Sequence, residues 1–267
     1  MSEIYDTFKR AFILIKADTP ELKQKVYQLR YQVYCLQLKL PGFCASNYPD
    51  KLEKDQYDDH SSHTLIQFVP TGEFVGTTRL ILPDPSNPEK RFPIEEHTEI
   101  DPALLVLDCE TRKHTAEISR FLVAPHFDRR KGDRRRTTEQ NRQSSSPETT
   151  AEHIKQDRRK GERRQADRRS ALDIYMVLMA AVVRMSSEHD VRYWLSAMEP
   201  TLNRLLSFTG LDGQPVGPLA NFHGPRKPYF GVVNDMLNKL YMRNIGAWEV
   251  ITDRGKYWPK EVPIKRI

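Results

Sequence analysis

Three carboxylates stand at i, i+2 and i+5 in Glu53-Lys-Asp55-Gln-Tyr-Asp58, and two later apolar runs each carry an arginine. These are Arg79 in Gly76-Thr-Thr-Arg-Leu-Ile81 and Arg120 in Glu117-Ile-Ser119-Arg-Phe121. A carboxylate can hold an ammonium group, and a guanidinium can clamp a carboxylate through two parallel hydrogen bonds. Assembled across a sheet, such groups make a polar pocket suited to an amine or an amino acid. Asp55 and Asp58 would hold the substrate ammonium or order the loop over it, and Arg30, Arg79 or Arg120 could grip a substrate carboxylate. The same residues also fit an internal ion-pair network tying a helix, a loop and a sheet together, and both uses can hold at once.

His60 and His63 flank the acidic loop, but no further carboxylate or third histidine has diagnostic spacing, so no metal site is expected. His223, in Asn-Phe-His-Gly, fits a residue that orders a C-terminal turn or contacts substrate. Cys35, Cys44 and Cys109 are odd in number and widely spaced, without a C-x-x-C, so the expectation is three reduced thiols rather than a disulfide framework or a zinc site.

The elements that must position these groups are readable from periodicity. Ala11–Lys16 is an apolar run expected as a first strand. Thr19 followed by Pro20 gives a helix start, and Leu22, Val26, Leu29, Val33 and Leu36 form one apolar face of a helix from Pro20 to Gln37 with Arg30 beside it. His63–Val69 and Phe74–Leu82, joined across Pro70-Thr-Gly72, read as an antiparallel hairpin. A Pro-rich connection from Pro83 to Pro102 precedes a strand over Ala116–Ala124. Further on, the pattern gives a helix over Ser170–Glu188, a strand over Val191–Ala197, a helix over Pro200–Phe208, and a closing strand pair near Pro215–Phe222 and Ala247–Thr252. This order implies an α/β fold with a mixed central sheet flanked by helices. The apolar helix over Ser170–Glu188 suits core, with a partial second role as the wall of an apolar tunnel.

With 267 residues, 38% hydrophobic and 29% charged, the chain is long enough to bury a sizeable core. It has no apolar run of the ~18 residues a membrane span needs, and its start lacks signal-peptide character, so a cytoplasmic location is expected. The net charge of +6 is concentrated in one segment. Residues 128–169 hold 15 Lys/Arg against 8 Asp/Glu, and include a near repeat, Asp128-Arg-Arg-Lys-Gly-Asp-Arg-Arg and Asp157-Arg-Arg-Lys-Gly-Glu-Arg-Arg. The segment reads as a solvated, mobile insertion between two halves, 1–127 and 170–267. An arginine-rich segment can bind nucleic acid, but it has no Phe, Tyr or Trp for stacking, so a stable nucleic-acid partner is not expected.

Arg30-x3-Tyr34, the acidic loop, Gly76-x2-Arg79-Leu80 and Glu117-x-Ser119-Arg120-Phe121 together resemble the autoinducer synthase branch of the GNAT-like acyltransferases, which make N-acyl homoserine lactones. Met198-Glu-Pro-x-Leu-x-Arg-Leu-Leu206 and Gly217-Pro218 through Phe222-His-Gly-x-Arg-x-Pro228-Tyr229 resemble acyltransferases associated with the exosortase/PEP-CTERM sorting system, a group similar to long-chain N-acyl amino acid synthases. The resemblance implies a GNAT-like acyltransferase fold and transfer of a fatty acyl group from acyl carrier protein to the amine of an amino acid, with no bound cofactor. It makes Glu117 the candidate general base, directly or through a water, against the alternative of a salt bridge to Arg79 or Arg120. Ser119 could hydrogen-bond the pantetheine arm, or be an ordinary strand serine. Glu53, Asp55, Asp58, Arg30, Arg79 and Arg120 become candidate substrate-binding residues. Arg129-x-x-Gly132-x-Arg134, with Arg130, resembles a degraded phosphate-receiving loop, remade to attract an acidic carrier protein. Autoinducer synthases place tryptophan ten residues after the helix arginine where this chain has Leu40, which favours a free amino acid over S-adenosylmethionine as acceptor.

Overall fold

In the computed structural model, which describes residues 3–127 and 174–258, the chain opens on a helix, α1 (Glu3–Ala11), followed by strand β1 (Phe12–Lys16). No residue of α1 is fully buried, and its apolar stripe, Ile4, Phe8 and Ala11, is too short to stand out in the sequence, although Phe8 packs at the edge of the cluster around Ile66 and Val177. It is also held by a distant segment, through the Tyr5 hydroxyl donating to Asp253 and the Arg254 guanidinium lying 3.9 Å from the Tyr5 ring centre.

Thr19 caps helix α2 (Pro20–Arg30) by accepting from the Leu22 amide, and Pro20 sits at its first position. Beyond Arg30 the helix widens into π turns over Tyr31–Gln37, where the Leu38 amide reaches the Val33 carbonyl five residues back. A wider turn carries more residues, so the buried face drifts around the axis. Tyr34 and Cys35 turn inward, whereas Leu36, expected on the apolar face, is 50% exposed.

Strands β2 (Ser61–Phe68) and β3 (Glu73–Ile81) form the expected hairpin, with Gly72 in the turn at φ +70°. The connection to β4 (Thr115–Val123) contains two short helices, α3 (Pro93–His97) and α4 (Cys109–Lys113). Arg112 locks them together, donating to both carboxylate oxygens of Glu95 at 2.7 and 2.8 Å. After α5 (174–188) come β5 (Tyr193–Met198), α6 (Pro200–Ser207), β6 (Gln214–Pro215), β7 (Ala220–Asn221), β8 (Pro225–Val232), α7 (Val233–Arg243) and α8 (Ile245–Thr252).

The closing strand pair expected at Pro215–Phe222 and Ala247–Thr252 is not formed. Only dipeptides of the first stretch are extended, the long strand is β8, and the second stretch belongs to α8. Asn244 caps α8 by accepting from the Ala247 amide, and Ala247, Val250 and Ile251 are buried at helical spacing. The β-branched residues of that stretch hide a helical period too short to stand out.

The strands order as β1-β2-β3-β4-β5-β8-β6, with β7 also paired to β8, and β4–β5 is the parallel pair among antiparallel neighbours. This is an α/β fold with a mixed central sheet flanked by helices, and strands from both sides of the basic segment share one sheet. Strand alternation feeds both layers: Leu65 packs with Val26 and Leu29 of α2, and its neighbour Ile66 with Val177 and Leu178 of α5. Among the described residues no helix is long and apolar enough to cross a membrane. The arginine repeat, with Arg129, Arg130, Gly132 and Arg134, lies outside the described residues.

Gly217 marks where the two halves are pressed together. The Asp101 amide donates to the Val216 carbonyl at 2.8 Å, and a Cβ on Gly217 would lie 1.9 Å from the Glu99 carbonyl oxygen. Both clashing partners are constrained, one being backbone and the other Pro228. Gly217→Ala is therefore expected to lower stability by about 1–3 kcal/mol or more, read as a drop in the urea midpoint, since overpacking at a backbone contact forces the main chain apart.

Candidate active site

Strand β4 pairs with β5 at Thr115, Ala116 and Glu117, opposite Tyr193, Trp194 and Leu195, and then the two strands part. β4 runs on to Val123 and β5 to Met198, and the wedge between them opens into a cavity of about 580 Å3. Residues 117–123 and Ser196–Met198 line it from the two sides. On its other edge β4 carries a bulge: Thr77 pairs with Leu122 and Arg79 with Ser119, so the register passes over Arg120 and Phe121. Arg120 takes φ +49°, a left-handed conformation that costs a residue with a Cβ and that clusters at functional sites.

The acidic loop and the arginines meet beneath this wedge as a closed array of three cations and three anions. Arg30 donates to Asp58 at 2.9 Å and lies 3.7 Å from Glu53. Arg79 donates to Asp55 at 2.6 Å and to Asp58 at 2.9 Å, and Arg120 donates to Glu53 at 2.7 Å and to Asp55 at 2.9 Å. Asp58 also accepts from the Asp55 amide, and Asp55 from the Tyr57 amide, so the i, i+2, i+5 spacing folds the loop around its own carboxylates. Burial alone would raise the Asp55 and Asp58 pKa values, but the neighbouring guanidiniums outweigh it and hold both below the ordinary carboxylate value. Burial and Arg30 push His63 down to about 3, so its neutral Nδ1 accepts from Arg30 at 3.1 Å. Arg120 is raised, since Glu53 and Asp55 overcome its desolvation.

Glu117 stands at the apex of the wedge and is 3% exposed. Its Oε2 accepts from the Ile94 amide at 2.8 Å, and no salt bridge to Arg79 or Arg120 is formed. Burial drives its pKa up to about 8, with the Ile94 amide and the two arginines pulling only partly against it. A carboxyl group with that pKa, facing a cavity, can take and release a proton near neutral pH.

The residues that line the cavity with Glu117 fall into two sets. One set is polar and aromatic, with Tyr34, Phe43, Tyr48, Asp55, His97 and His223; the other is apolar, with Met179, Met198, Leu202, Leu206, Leu211 and Met236. His223 takes φ +53°, its Nδ1 donates to the Pro41 carbonyl at 3.2 Å, and its ring lies where a Cβ on Gly42 would be, 2.6 Å from Nδ1. It thus orders its turn and lines the cavity as well. On α5, Met179 and Tyr175 reach the cavity while Val182 and Val183 pack in the core.

Of the residues singled out in the sequence, Asp55, Arg79, Glu117, Ser119 and Arg120 border the cavity. Arg30, Glu53 and Asp58 are buried behind it, at 0%, 0% and 3% exposure, and support the front row. The Ser119 hydroxyl accepts from Arg79 Nε at 2.8 Å. Of the aromatic wall, Tyr34 entered the sequence reading only through the Arg30-x3-Tyr34 motif, and Phe43 and Tyr48 escaped it, because the π turns that direct this stretch inward have no local signature. His97 escaped it because α3 lies in a connection read as irregular.

Residues 29–136 match the acetyltransferase (GNAT) domain family. Among known structures the chain is similar to TofI in a ternary complex with an inhibitor and MTA, at 19% identity over 86% of this chain and 96% of TofI, TM-score 0.50. It is also similar to the AHL synthase LasI, at 16% identity over 87% of this chain and 95% of LasI, TM-score 0.52. A third similar structure is FeeM, an N-acyl amino acid synthase from uncultured soil microbes, at 11% identity over 88% and 96%, TM-score 0.48. No curated protein sequence matches the chain. The fold is that of the GNAT-like acyl-transferring synthases, and the matched domain is of the acyltransferase type.

The raised Glu117 pKa has a consequence for stability. Below its ordinary value of 4.5 the group is protonated whether the chain is folded or not; between 4.5 and about 8 the unfolded chain has lost that proton and the folded one keeps it. Folding then binds the extra proton, so this group's contribution makes the protein less stable as pH rises through that window. Urea midpoints at pH 5 and pH 8 are expected to fall less with pH in Glu117→Gln than in the unmodified protein, and an equal fall would place the Glu117 pKa near its ordinary value.

Proposed function

We propose that the protein is an N-acyltransferase that moves a long fatty acyl group from acyl carrier protein to the amine of an amino acid, within the exosortase-associated group that its C-terminal motif resembles. The observation that carries this reading is Glu117, buried at the last β4–β5 pair and lining a cavity whose other residues divide into a polar aromatic set and a long apolar set. The amine lies on the polar side near Asp55, and the chain lies against Met179, Leu206 and Met236, whose flexible methionines tolerate several chain lengths. The pantetheine arm enters between the parted strands, where its amides can pair with free backbone groups like an added strand.

In the proposed reaction the amine attacks the thioester carbonyl directly, with no acyl-enzyme. Glu117 takes one proton from the substrate ammonium, directly or through a water, and the N–C bond forms. The amide N–H groups at the β4 bulge, Arg120 and Phe121, receive the oxyanion. The C–S bond then breaks, the second nitrogen proton passes to the leaving sulfur, and an N-acyl amino acid and the free carrier thiol remain. Asp55 holds the acceptor's ammonium end, with Arg79, Arg120, Arg30, Glu53 and Asp58 keeping it in place, and Ser119 fixes Arg79. No resident cofactor is required, and the reaction belongs in the cytoplasm, where acyl carrier protein is found.

A second reading, acyl homoserine lactone synthesis from S-adenosylmethionine, is favoured by the fold shared with LasI. Leu40 lines the cavity at the position where autoinducer synthases carry tryptophan, which supports the amino-acid acceptor. Mass spectrometry of reactions containing acyl carrier protein or coenzyme A thioesters, a mixture of amino acids, and S-adenosylmethionine separates the two. Lactone formed only with S-adenosylmethionine would replace the first reading by the second, and no acyl transfer under any condition would end both.

Two kinetic outcomes are expected. Glu117→Gln should lower kcat by about 100-fold or more with little change in KM, and should abolish a rise of activity with pH through about 8; retention of either would remove Glu117 as the base. Reversing the charges of Arg129, Arg130 and Arg134 should raise KM for the carrier-protein thioester and leave an acyl-N-acetylcysteamine donor unaffected, measured at low and high salt.

A further inference from the structure

Among the described residues three arginines border the cavity, and two of them are spent. Arg79 and Arg120 each bond two carboxylates at 2.9 Å or less, inside an array whose charges cancel. A substrate carboxylate would have to break that array to use them. Arg226 differs, since its ion pair is with Glu199 at 3.5 Å, and the Glu199 side chain is 57% exposed. A pair so long and so wet contributes little and is readily exchanged.

The placement of Arg226 is built rather than incidental. Lys227 and Pro228 pair with Met198 and Ala197, so Arg226 follows the last pair at the end of β5, beside the chain that leaves it as Glu199. Both Arg226 and Glu199 line the cavity. The turn before Arg226, Phe222-His223-Gly224, contains two residues at positive φ, His223 at +53° and Gly224 at +105°. It is pinned to the cavity rim by Phe222 stacked on His97 at 4.6 Å and His223 packed on Phe43 at 4.7 Å. A strained, pinned turn holding a weakly paired guanidinium over a cavity is the kind of feature that function retains. His223 supplies no competing charge, because burial, with Arg120 adding to it, keeps its imidazole below the ordinary pKa. Glu199 occupies the N-cap position of α6, yet its side chain makes no capping bond, so its carboxylate is not committed to that helix.

We propose that Arg226, presented by the β7–β8 hairpin, binds the carboxylate of the acceptor, and that Glu199 is the displaceable partner which substrate replaces. This rests on the acyl-transfer reading and names the acceptor class within it: an amine that carries a carboxylate, selected over the corresponding simple amine. A guanidinium–carboxylate contact of this kind is worth about tenfold or more in affinity.

The test uses the full chain and two ligands that differ in one charge, N-dodecanoylglycine and its methyl ester, with binding measured by titration calorimetry. The unmodified protein should bind the acid about tenfold tighter than the ester. Arg226→Ala should erase that preference, Arg226→Lys should restore part of it, and Glu199→Gln should strengthen acid binding. An acid preference that survives Arg226→Ala overturns the proposal. In turnover assays Arg226→Ala should raise the amino-acid KM by about tenfold and leave the donor KM in place. A rise confined to the donor KM, and lost with acyl-N-acetylcysteamine, would mean that the anion is the pantetheine phosphate, which also overturns it. If the unmodified protein transfers no acyl group but still discriminates acid from ester through Arg226, the carboxylate site stands and the acyl-transfer reading falls.

Discussion

Parallel pairing between β4 and β5 lasts three residues, and the backbone groups beyond it must find partners elsewhere or face a cavity. The rest of the site follows from that separation. It leaves Glu117 at the last paired position, walled by sheet on both sides, and opens the face of β4 where the bulge at Arg120 and Phe121 lies. It also lets side chains from helices on both layers of the sheet reach one space, so aromatic residues that follow α2 and apolar residues from α5, α6 and α7 border the same cavity.

The electrostatics of the site depend on the charge array being closed. Bringing Arg30, Arg79 and Arg120 out of water is costly, and three carboxylates at hydrogen-bonding distance offset it. Arg79 and Arg120 still pull the Glu117 pKa down, but with their charges engaged by carboxylates, burial outweighs them and decides its protonation. An unpaired arginine in the same place would have held Glu117 ionised and made it a weaker base. Scaffold and chemistry are therefore the same set of residues at different depths: Arg30, Glu53 and Asp58 behind, with Asp55, Arg79 and Arg120 at the cavity.

Much of this was legible in the sequence where a signal was local. The Thr19-Pro20 start of α2, the β2–β3 hairpin and the strand carrying Glu117 and Arg120 each announce themselves through caps, turn residues or period. Where the signal depended on distant partners, reading failed. α1 has an apolar stripe of only three residues, and its anchors, Asp253, Arg254 and the cluster that Phe8 meets, are remote in sequence. Leu36 follows the α-helical period but faces outward, because the turns around it are wide. Ala247–Thr252 has the composition of a strand, yet the Asn244 cap and the core beneath it make it a helix.

By itself the sequence determined the inventory of ionisable groups, the strands and loop that carry them, and the class of fold, since these rest on spacing along the chain. The tertiary structure decided what each group became. Whether Arg79 pairs with Asp55 or with Glu117, whether Glu117 keeps its proton, and whether Arg226 remains available are questions of burial and of neighbours remote in sequence. Desolvation and charge pairing act through space over a few ångströms, and no pattern of residues along one strand encodes which neighbours the fold will supply.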